Sequence, residues 1–461
     1  MSTKYGKEYG QLIFTNRFMG LLLIIGFTVA MTILYQPVIP FQLYIIMAIV
    51  LGYISSMYLL IELSSRIIYR LKTYRVLDKP LVEGKYSKVK VKLVNNSLFP
   101  ILFLEINDLY PSLFKLVDGS NYIVATLPGK GFVELEYVVE PRIGSHVFHG
   151  VEVIVRDPMG LFAYKAIVPE SKYRVYVHPK PYPISRRLLS RWISTSLGLT
   201  KSKLKGIGTE FITLREYVYG DDYRFIDWKS YARLQRLYVK MFEREASLNL
   251  MLILDASPAM LYGVIGKTML EESIRVISGI ASVTLERGDW VGLAVRSIRP
   301  LLLRQGRGRV HYGRLLRQIS MIEWSRKYPD ITMAELIRQS LALIPRRAKN
   351  IFLVFLSLDP TVYPKDKLKQ EVNELIKIHY RLASLNHSMI IVSPLPELYE
   401  IRHLTGFEAA LYLATSYRAF EKARSYAYEL QRNGIRVIQV GPSSLLPRLI
   451  RFIETYRSLV A

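Results

Sequence analysis

The residues best suited to chemistry in this 461-residue chain fall in one stretch. Gly206-Ile207-Gly208-Thr209-Glu210-Phe211 leads into Leu214-Arg215-Glu216-Tyr217, then Gly220-Asp221-Asp222-Tyr223-Arg224. Ile226-Asp227-Trp228-Lys229 and Tyr231-Ala232-Arg233 complete it. Acids and arginines interleave at spacings that favour bidentate guanidinium–carboxylate pairs. Gly220-Asp221-Asp222 reads as a turn whose aspartates cap a helix starting near Tyr223. The pairs are expected to be buried and to dock the segment on the domain that follows, although a solvated, salt-bridged face uses the same residue types. Other constellations are weaker. Gly266-Lys267-Thr268 opens a helix after a buried strand, but Leu261 stands where a phosphate-binding loop needs its first glycine. His146 and His149, the one close histidine pair, read as polar positions of a sheet. There are no cysteines, which excludes disulfides, thiolate nucleophiles and cysteine-ligated metals. No Ser-His-Asp set or acid–base pair stands out, so the chain is expected not to be an enzyme.

The elements that position this segment begin with a membrane anchor. Residues 18–35 and 41–61 contain no charged side chain, and each run reaches the roughly 18 to 20 residues needed to cross a bilayer as a helix. Gln36-Pro37-Val38-Ile39-Pro40 is too short to allow anything but a hairpin. Lys4, Lys7 and Arg17 precede the first helix, Arg66, Arg70, Lys72 and Arg75 follow the second, and the turn carries no charge. The positive-inside rule then puts both termini and the soluble body in the cytoplasm, with the protein in the cell membrane. A cleaved signal peptide fits less well, because a second span follows at once. The net charge of +25 needs an anionic surface, and membrane lipids are the least demanding one.

After residue 61 the periodicity changes twice. Residues 62–75 read as a basic, amphipathic extension of the second helix, closing an anchor region of 1–75. Lys88 to Leu93 then alternates polar and apolar, and similar short runs recur at 101–106, 122–125, 132–139, 146–155 and 173–177. Such runs predict an antiparallel β-sandwich of immunoglobulin-like kind over 76–180. A charged linker is expected over 181–246, carrying the 206–233 motif. From 247 to 461, apolar runs at 250–254, 290–295, 350–356, 387–392 and 435–440 alternate with helical stretches, which predicts a parallel, Rossmann-like α/β domain.

The order of residues in the 206–233 motif resembles the signature of the family known as domain of unknown function fifty-eight. Asp157-Pro158-Met159-Gly160-Leu161-Phe162 is similar to that family's DP-x-GLF stretch. The resemblance implies two N-terminal membrane helices, a β-rich segment and a von Willebrand factor type A-like domain. It marks Gly206, Gly208, Glu210, Phe211, Arg215, Tyr217, Gly220, Asp221, Asp222, Arg224, Asp227, Trp228 and Arg233 as signature positions. It also implies a protein partner, a MoxR-type AAA+ ATPase or that ATPase's client. In type A domains the first buried strand ends in Asp-x-Ser-x-Ser and holds Mg²⁺ with a threonine and an aspartate from later loops. Here Asp255 and Ser257 match, Ala259 replaces the second serine, and Thr332 and Asp359 are the distant candidates, so any Mg²⁺ site is degenerate. The expected function is a non-enzymatic, membrane-tethered scaffold or adaptor. The alternatives are a membrane-associated enzyme with its site at 206–233, and a nucleic-acid-binding membrane protein using the basic linker and Arg307-Gly308-Arg309.

Overall fold

The computed structural model describes residues 10–34, 41–169, 171–180, 205–243, 248–344, 349–401, 404–442 and 445–460. Two compact units divide the chain, Met1–His178 and Pro179–Ala461.

In the first unit the apolar runs form α1 (Asn16–Leu34) and α2 (Phe41–Ile68). Tyr44–Ile68 is long and apolar enough to cross a membrane, and Asn16–Met31 forms a shorter apolar helix. The turn Gln36–Pro40, Lys4 and Lys7 lie outside the described residues. The second helix outruns its charge-free stretch and stops at Ile68, where Arg70 N donates to Ile67 O at 2.8 Å. The basic extension expected through residue 75 is therefore only half helical, because Lys72–Leu77 has already become a strand.

Among the described residues the β-body has eleven strands. They are β1 (Gln11–Phe14), β2 (Lys72–Leu77), β3 (Ser87–Val94), β4 (Ile101–Leu109), β5 (Lys115–Gly119) and β6 (Tyr122–Leu127). β7 (Phe132–Glu140), β8 (Gly144–Phe148), β9 (Gly150–Arg156), β10 (Phe162–Ile167) and β11 (Tyr173–Val177) follow. One sheet runs β1-β10-β9-β4-β6, a second runs β2-β3-β7-β5, and β11 pairs with β8. Alternation explains the split between core and solvent. In β3, Val89, Val91 and Leu93 point inward, while Lys88, Lys90 and Lys92 point out and pair with Glu134 and Glu136 of β7. Inward residues of both large sheets, such as Val91, Leu135, Leu104, Ile106 and Val153, join one apolar cluster.

The sequence shows no sign of β1, which precedes the first apolar helix yet closes the edge of a sheet by pairing with β10. The DP-x-GLF stretch makes this join. Asp157 Oδ2 accepts from Met159 N at 2.9 Å, and its Oδ1 accepts from Phe162 N at 2.6 Å, which closes a tight turn. Gly160 sits at φ +67° there, a conformation that favours glycine. Thr15 Oγ1 donates to Gly160 O at 2.7 Å, and Arg17 Nη1 donates to Met159 O at 3.1 Å. Phe162 then packs on Phe18 and Tyr58, with ring centroids 4.9 and 5.8 Å apart. The turn thus clamps both apolar helices to the sheet.

In the second unit, much of the expected linker is folded. β12 (Lys205–Glu216) and β13 (Tyr238–Glu243) form an antiparallel hairpin whose tip carries a short 3₁₀ turn and α3 (Trp228–Leu234). Next come β14 (Asn249–Asp255), α4 (Met269–Glu286), β15 (Trp290–Arg296), β16 (Leu301–Gly306), α5 (Gly308–Ser320) and α6 (Met333–Leu341). β17 (Ile351–Phe355), α7 (Lys365–Ser384), β18 (Ser388–Pro394), α8 (Pro396–Glu400), α9 (Gly406–Arg432), β19 (Arg436–Val440) and α10 (Leu445–Val460) complete it. The sheet order is β16-β15-β14-β17-β18-β19, parallel throughout except for the edge strand β16. Counted along the chain this is 3-2-1-4-5-6, so the order reverses at β14, next to β17. In doubly wound sheets ligands and functional side chains gather at the carboxyl ends of such strands. Gly266-Lys267-Thr268 proves to be a helix start and not a phosphate loop. Thr268 Oγ1 accepts from Glu271 N at 3.2 Å and Glu271 Oε2 accepts from Thr268 N at 3.0 Å, a reciprocal capping box.

Candidate functional site

Two regions hold the residues marked in the sequence, and the first is the carboxyl edge of the parallel sheet. Asp255 ends β14, and its register partner at the end of β15 is Arg296. Both are buried, with side chains 0% and 3% exposed. Arg296 Nε and Nη2 donate to the two oxygens of Asp255 at 3.0 and 2.9 Å. Ser257 supplies the other two donors, N at 2.9 Å and Oγ at 2.9 Å. A carboxylate offers about four lone-pair sites, so Asp255 is saturated. Arg296 Nη1 continues to Glu371 Oε2 at 2.9 Å, and Nη2 also reaches the Tyr363 hydroxyl. Burial works against the charge on Arg296, but the carboxylates around it hold its pKa above the ordinary arginine value. Glu371 is pushed up by burial and pulled back by Arg296.

This donor set does not suit Mg²⁺. The ion would have to take Asp255 oxygens already bound by a guanidinium and would sit against that positive charge. Ala259, in place of the second serine, is fully buried and turns its methyl group to the apolar core. Thr332 caps α6, its hydroxyl accepting from Glu335 N at 3.2 Å. Asp359 Oδ1 accepts from Thr361 N at 2.7 Å and Thr361 Oγ1 at 2.6 Å. Of the four residues proposed as ligands, Asp255 and Ser257 meet, but as acceptor and donor to one another. Thr332 and Asp359 serve their own loops. Among the described residues no three of His, Cys, Asp and Glu gather as a metal-holding group.

Sequence reasoning missed Glu397. It follows β18 at the same edge, is buried, and leaves both carboxylate oxygens without a hydrogen-bond partner, as does Asp359 Oδ2. Burial first, and then the neighbouring Asp359 carboxyl, push Glu397 up to about 8 from an ordinary value of 4.5. The folded state therefore holds a proton that the unfolded chain releases, so the contribution of this group to stability is greatest below about 4.5 and falls as pH rises towards about 8. With solvent screening allowed for, the loss is on the order of 1 to 2 kcal/mol. Melting temperatures measured from pH 5 to 8.5 should decline in the wild type and stay flatter in Glu397→Gln. Parallel curves would show that this carboxyl is ionised in both states.

The second region is the hairpin tip of the signature segment. Its salt bridges are local. Arg215 pairs with Asp221, Asp222 with Arg224 at 2.6 Å, and Asp227 with Lys240 at 3.2 Å. Asp222 caps the 3₁₀ turn Tyr223–Phe225 by accepting from Arg224 N, as the turn pattern suggests. Tyr217 N donates to Leu237 O at 2.9 Å and closes the hairpin below the tip. Neither the 3₁₀ turn nor α3 contains a buried residue, so these pairs hold the tip's own shape. This corrects the expectation of buried docking pairs. Asp221 is held below the usual carboxylate range by the Val218 amide and Arg215, Asp222 by Arg224, and Asp227 by the Ser230 hydroxyl and Lys240. A carboxylate so held is a poor general base near neutral pH. Arg233 shows no ion pair among the described residues. For Gly206, Gly208, Glu210 and Phe211 the strand placement is given by β12 alone.

What the tip does present is apolar surface. Tyr219 is 99% exposed, Tyr223 72% and Trp228 61%, with Val218 and Leu234 beside them in sequence and similarly exposed. Trp228 and Tyr231 stack edge to face at 6.3 Å.

These features define a two-body protein with an apolar helical segment and a doubly wound α/β domain. Residues 213–368, running from the hairpin almost to Glu371, match the family described as "Protein of unknown function DUF58". The uncharacterized protein YeaD of Bacillus subtilis (strain 168) is 25% identical over 263 residues, 55% of this chain and 64% of the relative. The chain thus spans a little under two thirds of that relative's length. An aerotolerance-related membrane protein from Bacteroides fragilis aligns over 46% of this chain and 100% of its own, with 14% identity and a TM-score of 0.32. An uncharacterized membrane spanning protein from Vibrio fischeri covers 46% of this chain and 99% of its own, with 12% identity and a TM-score of 0.17.

Proposed function

We propose that this chain is a non-enzymatic, membrane-anchored scaffold that engages a MoxR-type AAA+ ATPase, or that ATPase's client, through the signature hairpin of a type A-like domain. In this reading α1 and α2 form a transmembrane hairpin with both ends in the cytoplasm. The two-sheet β-body is an immunoglobulin-like sandwich. The 3-2-1-4-5-6 sheet with its antiparallel edge strand supports the type A-like reading. The saturated Asp255 supports an interaction domain that works without a metal.

One observation carries the proposal. Tyr219, Tyr223 and Trp228 stand exposed on a hairpin whose shape is fixed by its own salt bridges, with Arg224, Lys229, Arg233 and Arg236 among them. Aromatic and arginine side chains on a preorganised support are the composition of interface hot spots. The test is co-purification of the tagged full-length protein with a co-expressed MoxR-type ATPase. Tyr223→Ala with Trp228→Ala should reduce recovered ATPase by at least about tenfold. Both side chains are exposed, so the melting temperature should move by no more than about 2 °C. Undiminished recovery of the ATPase by this variant would refute the hairpin as the docking surface.

A further inference from the structure

Beside the carboxyl-terminal turns of α2 lies a groove of about 390 Å³, within the size range of small-ligand sites. One wall is α2 itself, through Leu60 and Leu63. The other is the β-body, through Phe99, Leu102 and Phe103. The second wall is built by a break in strand alternation. In β4 the pairing with β6 slips between Ile101 and Leu104, and this bulge turns the consecutive residues Leu102 and Phe103 outward, 51% and 46% exposed. Leu98 and Phe99, just before the strand, are 73% and 71% exposed. Four large apolar side chains within six residues is more than scattered surface hydrophobicity, and their placement next to the membrane-length helix calls for an apolar partner.

Charge narrows the choice. Arg66, in the last turn of α2, and Arg70, just past its end, line the same groove. Arg66 meets Glu62 only through an exposed pair at 3.2 Å, and Arg70 has no ion pair among the described residues. The other charged residues of the lining are already committed, Arg156 to Glu105 and Asp157 to its own turn. The groove therefore offers an apolar wall continuous with the span Tyr44–Ile68 and a cationic mouth at its polar end.

We propose that this groove binds one anionic phospholipid of the surrounding leaflet, its phosphate at Arg66 and Arg70 and an acyl chain against Leu63, Phe99 and Phe103. The inference rests on α2 crossing the membrane, which sedimentation of the full-length protein with membranes tests independently. It does not depend on the ATPase partner. Each juxtamembrane arginine adds about fivefold to anionic-lipid preference.

Native mass spectrometry of the full-length protein in mild detergent, titrated with phosphatidylglycerol or phosphatidylcholine, reads this directly. The wild type should retain phosphatidylglycerol over phosphatidylcholine by at least about tenfold. Arg66→Gln with Arg70→Gln should abolish the preference without lowering the melting temperature. Phe99→Ser with Phe103→Ser, on exposed side chains, should weaken retention of both lipids by a similar factor. Equal retention of the two lipids by the wild type would overturn the proposal. So would an unchanged preference in the arginine variant, or equal displacement by soluble glycerol phosphate.

Discussion

Arg296→Ala should be the most damaging single substitution in the α/β body, lowering its stability by about 3 to 5 kcal/mol. The guanidinium is 3% exposed and is shared by Asp255, Glu371 and Tyr363. Removing it leaves two buried carboxyl groups facing each other with no counter-charge, and the cost is the desolvation of those orphans. For a body of this size the melting temperature should fall by roughly 6 to 20 °C, read by intrinsic fluorescence of the full-length protein in detergent. Arg296→Lys should fall between, since an ammonium keeps the charge but cannot fork onto Asp255 while also reaching Glu371. A second readout separates this account from simple cavity formation. The vacated space is lined by Asp255, Glu371 and the Ser257 hydroxyl, the hard oxygen donors that Mg²⁺ and Mn²⁺ prefer. Millimolar Mn²⁺ should therefore raise the melting temperature of Arg296→Ala and leave the wild type unmoved, because binding only the folded state stabilises it. A wild type stabilised as much as the variant would mean that Asp255 is open to metal.

That arginine marks where sequence reading stops. The strand before it was legible, since Trp290 to Val295 is nearly all apolar, as a doubly covered strand must be. Arg296 itself reads as the chain leaving the sheet for solvent. Its role appears only when strand ends are aligned, because parallel register sets the last residue of β15 beside the last residue of β14. Glu397 was hidden for a similar reason, since Pro394-Leu395-Pro396 suggests an ordinary loop, whereas its side chain is buried beside the Asp359 carboxyl that follows β17. The periodicity rules describe one element at a time, and both residues act between elements.

The same limit explains β1 and the hairpin. Gln11 to Phe14 is too short to carry a period and runs directly into an apolar helix. It becomes a strand because β10, some 150 residues away, offers an edge. In the signature segment the charges were legible, but neither the partner of each nor their exposure was: Arg215 and Arg224 meet Asp221 and Asp222, while Asp227 turns to Lys240. Charge order tells which groups can meet, while burial depends on what packs over them. Strands with unbroken apolar runs, such as β14, β15 and β17, were placed to within a residue because their burial is written into the local sequence.

The β-body has its own buried charge, and Asp108→Ala should cost it about 3 to 5 kcal/mol. Asp108 belongs to β4 in one large sheet, while Arg75 of β2 and Tyr137 of β7 reach it from the other. Arg75 donates to both carboxylate oxygens, Tyr137 OH donates at 2.6 Å, and Arg75 Nη1 also reaches Ser171 O at 2.9 Å. The guanidinium lies 4.5 Å from the ring centroid of Phe148. Asp108 is 0% and Arg75 5% exposed, so the pair joins the sheets where water cannot replace either partner. Burial, reinforced by the Asp108 charge, raises the Tyr137 hydroxyl above its ordinary range, which keeps it a donor at any working pH. Asp108→Asn retains an acceptor for Tyr137 and should cost less than alanine. Arg75→Met should be nearly as harmful as Asp108→Ala, because it strands the carboxylate instead of the cation. The double change Arg75→Met with Asp108→Leu removes both charges and refills the space, so it should recover most of the loss, as apolar replacement of buried ion pairs generally does. Strong non-additivity in this cycle, measured by denaturant unfolding of the full-length protein, is the expected signature of direct coupling. Losses that simply add would mean that the two side chains stabilise their own sheets separately and do not bridge them.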